Sequence, residues 1–92
     1  MYVVYVIEHS FNHQIYMGLT SNLKQRLASH NSNSNKSTRR RNGKWTLVYA
    51  EAYRSKKDAV MRESRLKHHG SSKHELLKRI SSSLLEAKSE AG

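Results

Sequence analysis

Residues 2–8, Tyr2-Val3-Val4-Tyr5-Val6-Ile7-Glu8, decide the fold. The run is β-branched and aromatic and reads as a strand. Tyr2, Val4 and Val6 share one face, and Val3, Tyr5 and Ile7 share the other, because successive strand side chains alternate. Both faces are apolar, so this is the central strand of a sheet.

Its neighbours follow along the chain. His9 to His13 contains Ser and Asn and reads as a turn. Gln14 to Leu19 is a second short strand, and the two make a β-hairpin. Gly18 marks a close backbone approach or a bend. Trp45 to Tyr53 alternates as a third strand and completes an antiparallel sheet. Between them, Ser21 and Asn22 are N-cap candidates for a helix reaching about His30. Leu23 and Leu27 turn that helix to the core, and Arg26 and His30, also four apart, share a neighbouring strip. Ser55 with Asp58 resembles a capping box and opens a helix to about His69, with Gly70 as its C′ residue. Ser72 with Glu75 caps a third helix, whose apolar stripe is Leu76, Leu77, Ile80 and Leu84. The expected architecture is α+β, a three-stranded antiparallel sheet flanked by helices in the order β-β-α-β-α-α. One domain over residues 1–80 is expected, with residues 81–92 a fraying tail.

Composition narrows the function. The chain has 92 residues and a formal net charge of +10. It has no cysteine, which excludes disulfide-linked partners, thiolate zinc sites and cysteine nucleophiles. No apolar run approaches the roughly 20 residues of a membrane span. No basic leader precedes the first strand, so a cytoplasmic location is expected. Eleven of the 17 lysines and arginines, against three of the seven acids, lie in residues 36–67. Such concentration points to a polyanion with salt-sensitive binding. A solvated surface is the plainer alternative. Residues 31–44 lack apolar periodicity and read as a mobile loop, with Lys36, Arg39, Arg40, Arg41 and Lys44 as nucleic-acid-binding candidates.

One carboxylate is out of place. At about 100° per residue, Glu63 falls between Ala59, Val60 and Leu66, on the apolar stripe of its helix. A core-facing carboxylate is costly unless it is paired or binds a metal. An ion pair with Lys67, or with Arg62 or Arg65, would make it structural. A place at the edge of a cleft would make it a ligand for Mg²⁺ (or Mn²⁺), which needs only one or two carboxylates plus substrate phosphates. The histidines are not spaced for a closed zinc site.

The run Val4-Tyr5-Val6, then Tyr16-Met17-Gly18, then Arg26, then Glu63 resembles the GIY-YIG nuclease superfamily. More narrowly it resembles its small, single-domain bacterial members. Leu23-Lys24-Gln25-Arg26-Leu27, His30-Asn31, Leu47-Val48-Tyr49 and Arg62-Glu63 followed by Leu66-Lys67 carry the likeness over roughly residues 1 to 80. The resemblance implies the same three-stranded fold and cleavage of DNA phosphodiester bonds with one divalent metal. It implies catalytic roles for Tyr5, Tyr16, Arg26 and Glu63, with Glu63 the metal ligand. His30 stands where relatives carry tyrosine or histidine. Two departures concern the chemistry: Leu19 stands where many relatives have lysine, and residues 71–85 hold no equivalent of their last-helix asparagine.

Those residue types suit the reaction. Arg26, permanently charged and forked, can hold two phosphate oxygens. A tyrosine hydroxyl can relay a proton if its pKa is lowered, and His30 titrates near neutrality and could be base or relay. The expected function is a metal-dependent DNA endonuclease of little sequence specificity, acting on single- or double-stranded DNA. The alternative is a non-catalytic nucleic-acid-binding module on the same fold. A ribosome-associated RNA binder is a third reading, resting on size and charge alone. Trp45 or Tyr53, if exposed, could stack on unpaired bases, although Trp45 fits the core better. Oligomeric state is not legible.

Overall fold

Strand β1 (Tyr2–His9) lies between β2 (Ile15–Thr20) and β3 (Trp45–Tyr53) and is antiparallel to both. The structure, a computed structural model, describes residues 1–32 and 43–85. Three helices follow the hairpin and the third strand: α1 (Leu23–Asn31), α2 (Lys56–His68) and α3 (Gly70–Arg79). The two apolar faces of β1 are both covered. On one, Val4 and Val6 pack with Met17 against Ala59 and Leu66 of α2 and Leu76 and Ile80 beyond. On the other, Tyr5 and Ile7 pack with Trp45 against Leu23 and Leu27 of α1. Each aliphatic side chain buried this way contributes about 1.5–3 kcal/mol.

A β-bulge adjusts the third strand. Val6 pairs with Tyr49, but Ile7 pairs with Leu47, so Val48 is an extra residue. The step sends Leu47 to the Tyr5 face and Tyr49 to the Val4 face. The hairpin closes through His9 N–H to Gln14 O (2.9 Å) and His13 N–H to His9 O (2.9 Å). His13 takes the left-handed conformation this turn needs, at φ 60°. Its Nδ1 lies 2.7 Å from Oε2 of Glu8, a carboxylate that is only 1% exposed.

Of the two cap candidates for α1, Asn22 is the cap: its Oδ1 accepts from Gln25 N–H at 3.1 Å. The far end of α1 is tied to β3 by Asn31, whose Oδ1 accepts from Trp45 N–H (2.7 Å) and whose Nδ2 donates to Trp45 O (3.0 Å). The other caps differ from expectation. Ser55 precedes α2 but its side chain makes no capping bond. Gly70 does follow the C-cap of α2, as expected of a C′ residue, but it is not left-handed and it opens α3, and Ser72 lies in that helix's first turn. His69 alone joins the two helices, as C-cap of α2 and N-cap of α3, at φ −117° and ψ 99°. An extended residue makes this corner, so no left-handed glycine is needed. Val60, placed on the apolar stripe, is 43% exposed, whereas Ala59 and Leu66 are buried. Of the expected tail, Ser81–Ser83 form a 3-10 turn and Leu84 packs on the core. Leu85 N–H donates to Glu8 Oε1 at 2.7 Å. Residues 86–92 lie outside the described residues.

Candidate active site

Tyr5 sits mid-strand on β1, and its partner across β2 is Gly18. The phenol lies flat against that glycine. A Cβ at Gly18 would meet the Tyr5 hydroxyl and lie 2.5 Å from its Cζ. The close approach read into Gly18 is therefore made by Tyr5, and it aims the hydroxyl at α1. There it meets His30 Nε2 at 2.7 Å and Arg26 Nε at 3.4 Å. Arg26 and His30 are one helical turn apart, which brings both to the same hydroxyl. A guanidinium can only donate, so Arg26 donates to the Tyr5 oxygen, and in the tautomer with the proton on Nδ1 of His30 the Tyr5 O–H donates to Nε2.

The electrostatics follow from burial. His30 is 1% exposed. Burial, and then the charge of Arg26, hold its pKa below the ordinary histidine value. Burial pushes the Tyr5 pKa up, against the hydrogen bond and charge of Arg26, with Tyr16 and Glu63 adding to the rise. The bond to Tyr5 raises Arg26 in turn. At neutral pH the group is a neutral imidazole, a neutral phenol and a fixed guanidinium.

Tyr16 lines the same place from β2. Its ring meets His30 edge-on (centroids 5.1 Å apart, 62° between planes) and Trp45 at 6.4 Å. Glu63 approaches from α2 on the other side, half-buried, with Lys67 Nζ 3.4 Å from its Oε2. The ion pair with Lys67 considered for a structural Glu63 is thus present, at the helical i,i+4 spacing. Lys67 Nζ also stands 5.5 Å from the centre of the Tyr16 ring. Arg62 does not turn to Glu63. It donates through Nε to Glu51 Oε1 at 2.6 Å.

Four residues named from sequence, Tyr5, Tyr16, Arg26 and His30, therefore gather between β1, β2 and α1, and Glu63 on α2 is linked to them through Lys67, which stands by the Tyr16 ring, and through its charge, which acts on Tyr5. Lys44 is exposed at the hairpin tip, its N–H donating to Ser10 Oγ at 3.0 Å. Gly43 before it has φ +76°, and a Cβ there would come within 2.8 Å of His9 Cε1, so the bend requires glycine. Lys36, Arg39, Arg40 and Arg41 lie outside the described residues, as does most of the loop expected to be mobile. Base stacking by Trp45 is corrected: the indole is 3% exposed. Tyr53 is half-buried and its hydroxyl donates to Glu51 Oε1 at 2.6 Å.

Three features were not read from sequence. A cleft of about 330 Å³ runs beside Arg26, lined also by Thr20, Asn22, Gln25 and Ser29. Lys67 was seen only as a partner for Glu63, although its i+4 spacing already put it beside the same face. Glu51 gathers Tyr49, Tyr53 and Arg62 into one cluster on the opposite side of the sheet from Tyr5. Among the described residues no group of three or more histidines and carboxylates could hold a metal. Glu63 is thus a single half-buried carboxylate paired with Lys67. It fits a hydrated Mg²⁺ or Mn²⁺ that shares substrate phosphates, and it does not fit zinc.

The chain belongs to the GIY-YIG family: the model of the GIY-YIG catalytic domain matches residues 1–83. A solved relative has the same fold. It is the UPF0213 protein BH0048 of Bacillus halodurans, known from solution NMR, 30% identical over 87% of this chain and 85% of that one, with a TM-score of 0.54. Among curated proteins none matches the chain. The family is one of nuclease type, which makes DNA the substrate class. No helix among the described residues is long and apolar enough to cross a membrane.

Proposed function

We propose that this protein is a divalent-metal-dependent DNA endonuclease with little sequence specificity. The observation that carries the reading is the single hydroxyl of Tyr5, held between Arg26 (3.4 Å) and His30 (2.7 Å). A nucleic-acid binder has no use for a buried phenol joined to a neutral imidazole. Hydrolysis needs a base for the attacking water, and here the base is a relay. As water attacks phosphorus, Tyr5 oxygen takes its proton while the Tyr5 O–H passes to His30 Nε2. His30 can accept because burial keeps it neutral. Arg26 steadies the phenol oxygen during this exchange. Arg26 also lines the cleft, where its guanidinium would clamp the phosphoryl oxygens as charge builds. Tyr16 walls the site and touches His30 edge-on. Glu63 would hold Mg²⁺ or Mn²⁺, which supplies Lewis-acid stabilisation of the leaving oxygen when bound.

Little sequence specificity follows from the absence of a described element shaped to enter a groove and read base edges. Residues 1–80 act as one domain, onto which Leu84 also packs, and a cytoplasmic role in DNA repair or recombination is the setting that suits it. The non-catalytic reading has one observation in its favour, the Lys67 ammonium that already satisfies Glu63.

The test is incubation with end-labelled single- and double-stranded DNA, in Mg²⁺ or Mn²⁺ and in chelator. Cleavage in metal alone supports the nuclease and shows its strand preference. Salt-sensitive binding with no cleavage in any metal supports the binding module instead.

A further inference from the structure

Tyr16 has a second side, away from His30, and it faces a cleft of about 190 Å³ lined by Ile15, Tyr16, Met17, Leu66, Lys67 and Lys73. We propose that Lys67 and Lys73 make this cleft a subsite for a backbone phosphate of DNA, next to the one being cut. The inference rests on the nuclease reading of the Tyr5 site. It adds where the strand runs once it leaves that site.

Two ammonium groups bound the cleft and none of its lining residues is acidic. The floor is apolar, from Ile15, Met17 and Leu66, so the two ammonium groups are the charged groups of the lining that a phosphate there would meet. Lys67 is already steered: its Nζ lies 3.4 Å from Glu63 and 5.5 Å from the Tyr16 ring centre. It therefore spans the reacting site on one side and the cleft on the other. Lys73 sits on α3, one element further along, and is exposed. The pair thus lies on the path of a strand crossing from Arg26 past Tyr16. Both lysines are compact point charges, which suits phosphate oxygens rather than base edges. They also supply a cation near Tyr16 that Leu19 does not.

The experiment measures anisotropy of a short labelled DNA, single-stranded and duplex, in chelator, across a range of salt. Lys67→Gln and Lys73→Gln are compared with wild type and with Lys56→Gln, an exposed lysine outside the cleft. Each cleft variant is expected to lower the salt slope by about 0.7–0.9, and affinity at 0.1 M salt by about five- to eightfold. Lys56→Gln is expected to bind like wild type. Wild-type slopes in both cleft variants would overturn the subsite while leaving the nuclease reading standing. A wild-type protein that binds no DNA would overturn both.

Discussion

The hydroxyl of Tyr5 and the Nε2 of His30, 25 positions apart in sequence, meet at 2.7 Å in the interior. Neither residue is charged there at neutral pH, and Arg26 donates to the same oxygen from its other side. In the proposed mechanism that pair is the base.

Tyr5→Phe removes the hydroxyl and keeps the ring that packs with Ile7 and Trp45. It is expected to lower the cleavage rate by about 10²–10⁴, with DNA affinity in chelator unchanged. Single-turnover cleavage and anisotropy, measured side by side, check this.

His30 links the site to stability. Its folded pKa is depressed, by burial first and then by Arg26. Below the unfolded-state value of about 6.5, the unfolded chain binds a proton that the folded chain refuses. Stability contributed here is thus full above that pH and is lost as pH falls toward the folded pKa. Thermal melts from pH 8 to pH 5 should show a fall that is smaller in His30→Gln. For the same reason, the acid limb of the cleavage profile should lie below the ordinary histidine range.

Gly18→Ala places a methyl group against the Tyr5 ring, 2.5 Å from Cζ, where no real side chain fits without movement. Tyr5 must shift from Arg26 and His30. A displacement of about 1 Å costs on the order of 10²-fold in rate. Cleavage should fall by about that much, and the Tyr5 ring signals in an NMR spectrum should move.

Glu51 is a structural counterpart. Its carboxylate accepts from Tyr49 (2.5 Å), Tyr53 (2.6 Å) and Arg62 (2.6 Å). Burial pushes its pKa up, but those three bonds win and hold it below the ordinary range. The Tyr53 hydroxyl is pushed up to about 12, by burial and by that bond. Stability from Glu51 is present above about pH 4.3, the unfolded carboxyl value, and is lost as pH falls through the folded pKa. Glu51→Gln should cost about 1–3 kcal/mol in denaturant unfolding, with cleavage well below the melting point within about twofold of wild type.

Periodicity made the sheet legible. The double apolar face of residues 2–8 required a central strand, and Glu63 stood out because Ala59 and Leu66 bracket it on one helical face. Tyr5, Tyr16, Arg26 and His30 could be named from the family likeness, yet their meeting could not be seen, since tertiary contacts across 25 residues leave no local pattern. The corner at His69 is only partly legible: Gly70 stands at the C′ position but opens α3 without the left-handed conformation, and Ser72 lies inside that helix because an extended histidine caps it. Tyr49, Glu51 and Tyr53 alternate in one unbroken register, so their common face follows from strand period, but the arrival of Arg62 from α2 is a tertiary contact with no local pattern, and the bulge at Val48 that turns Leu47 to the Tyr5 face has no sequence signature.

The central claim is that this cleft cuts DNA with a metal held at Glu63. The direct measurement is single-turnover cleavage of labelled DNA in Mg²⁺ by wild type and by Glu63→Ala, with DNA affinity in chelator recorded for both. The account predicts metal-dependent cleavage by wild type, a loss of at least about 10³-fold in the variant, and affinity that is kept or raised once Lys67 is freed. Equal cleavage by the two proteins, or binding by both with cleavage by neither, would contradict it.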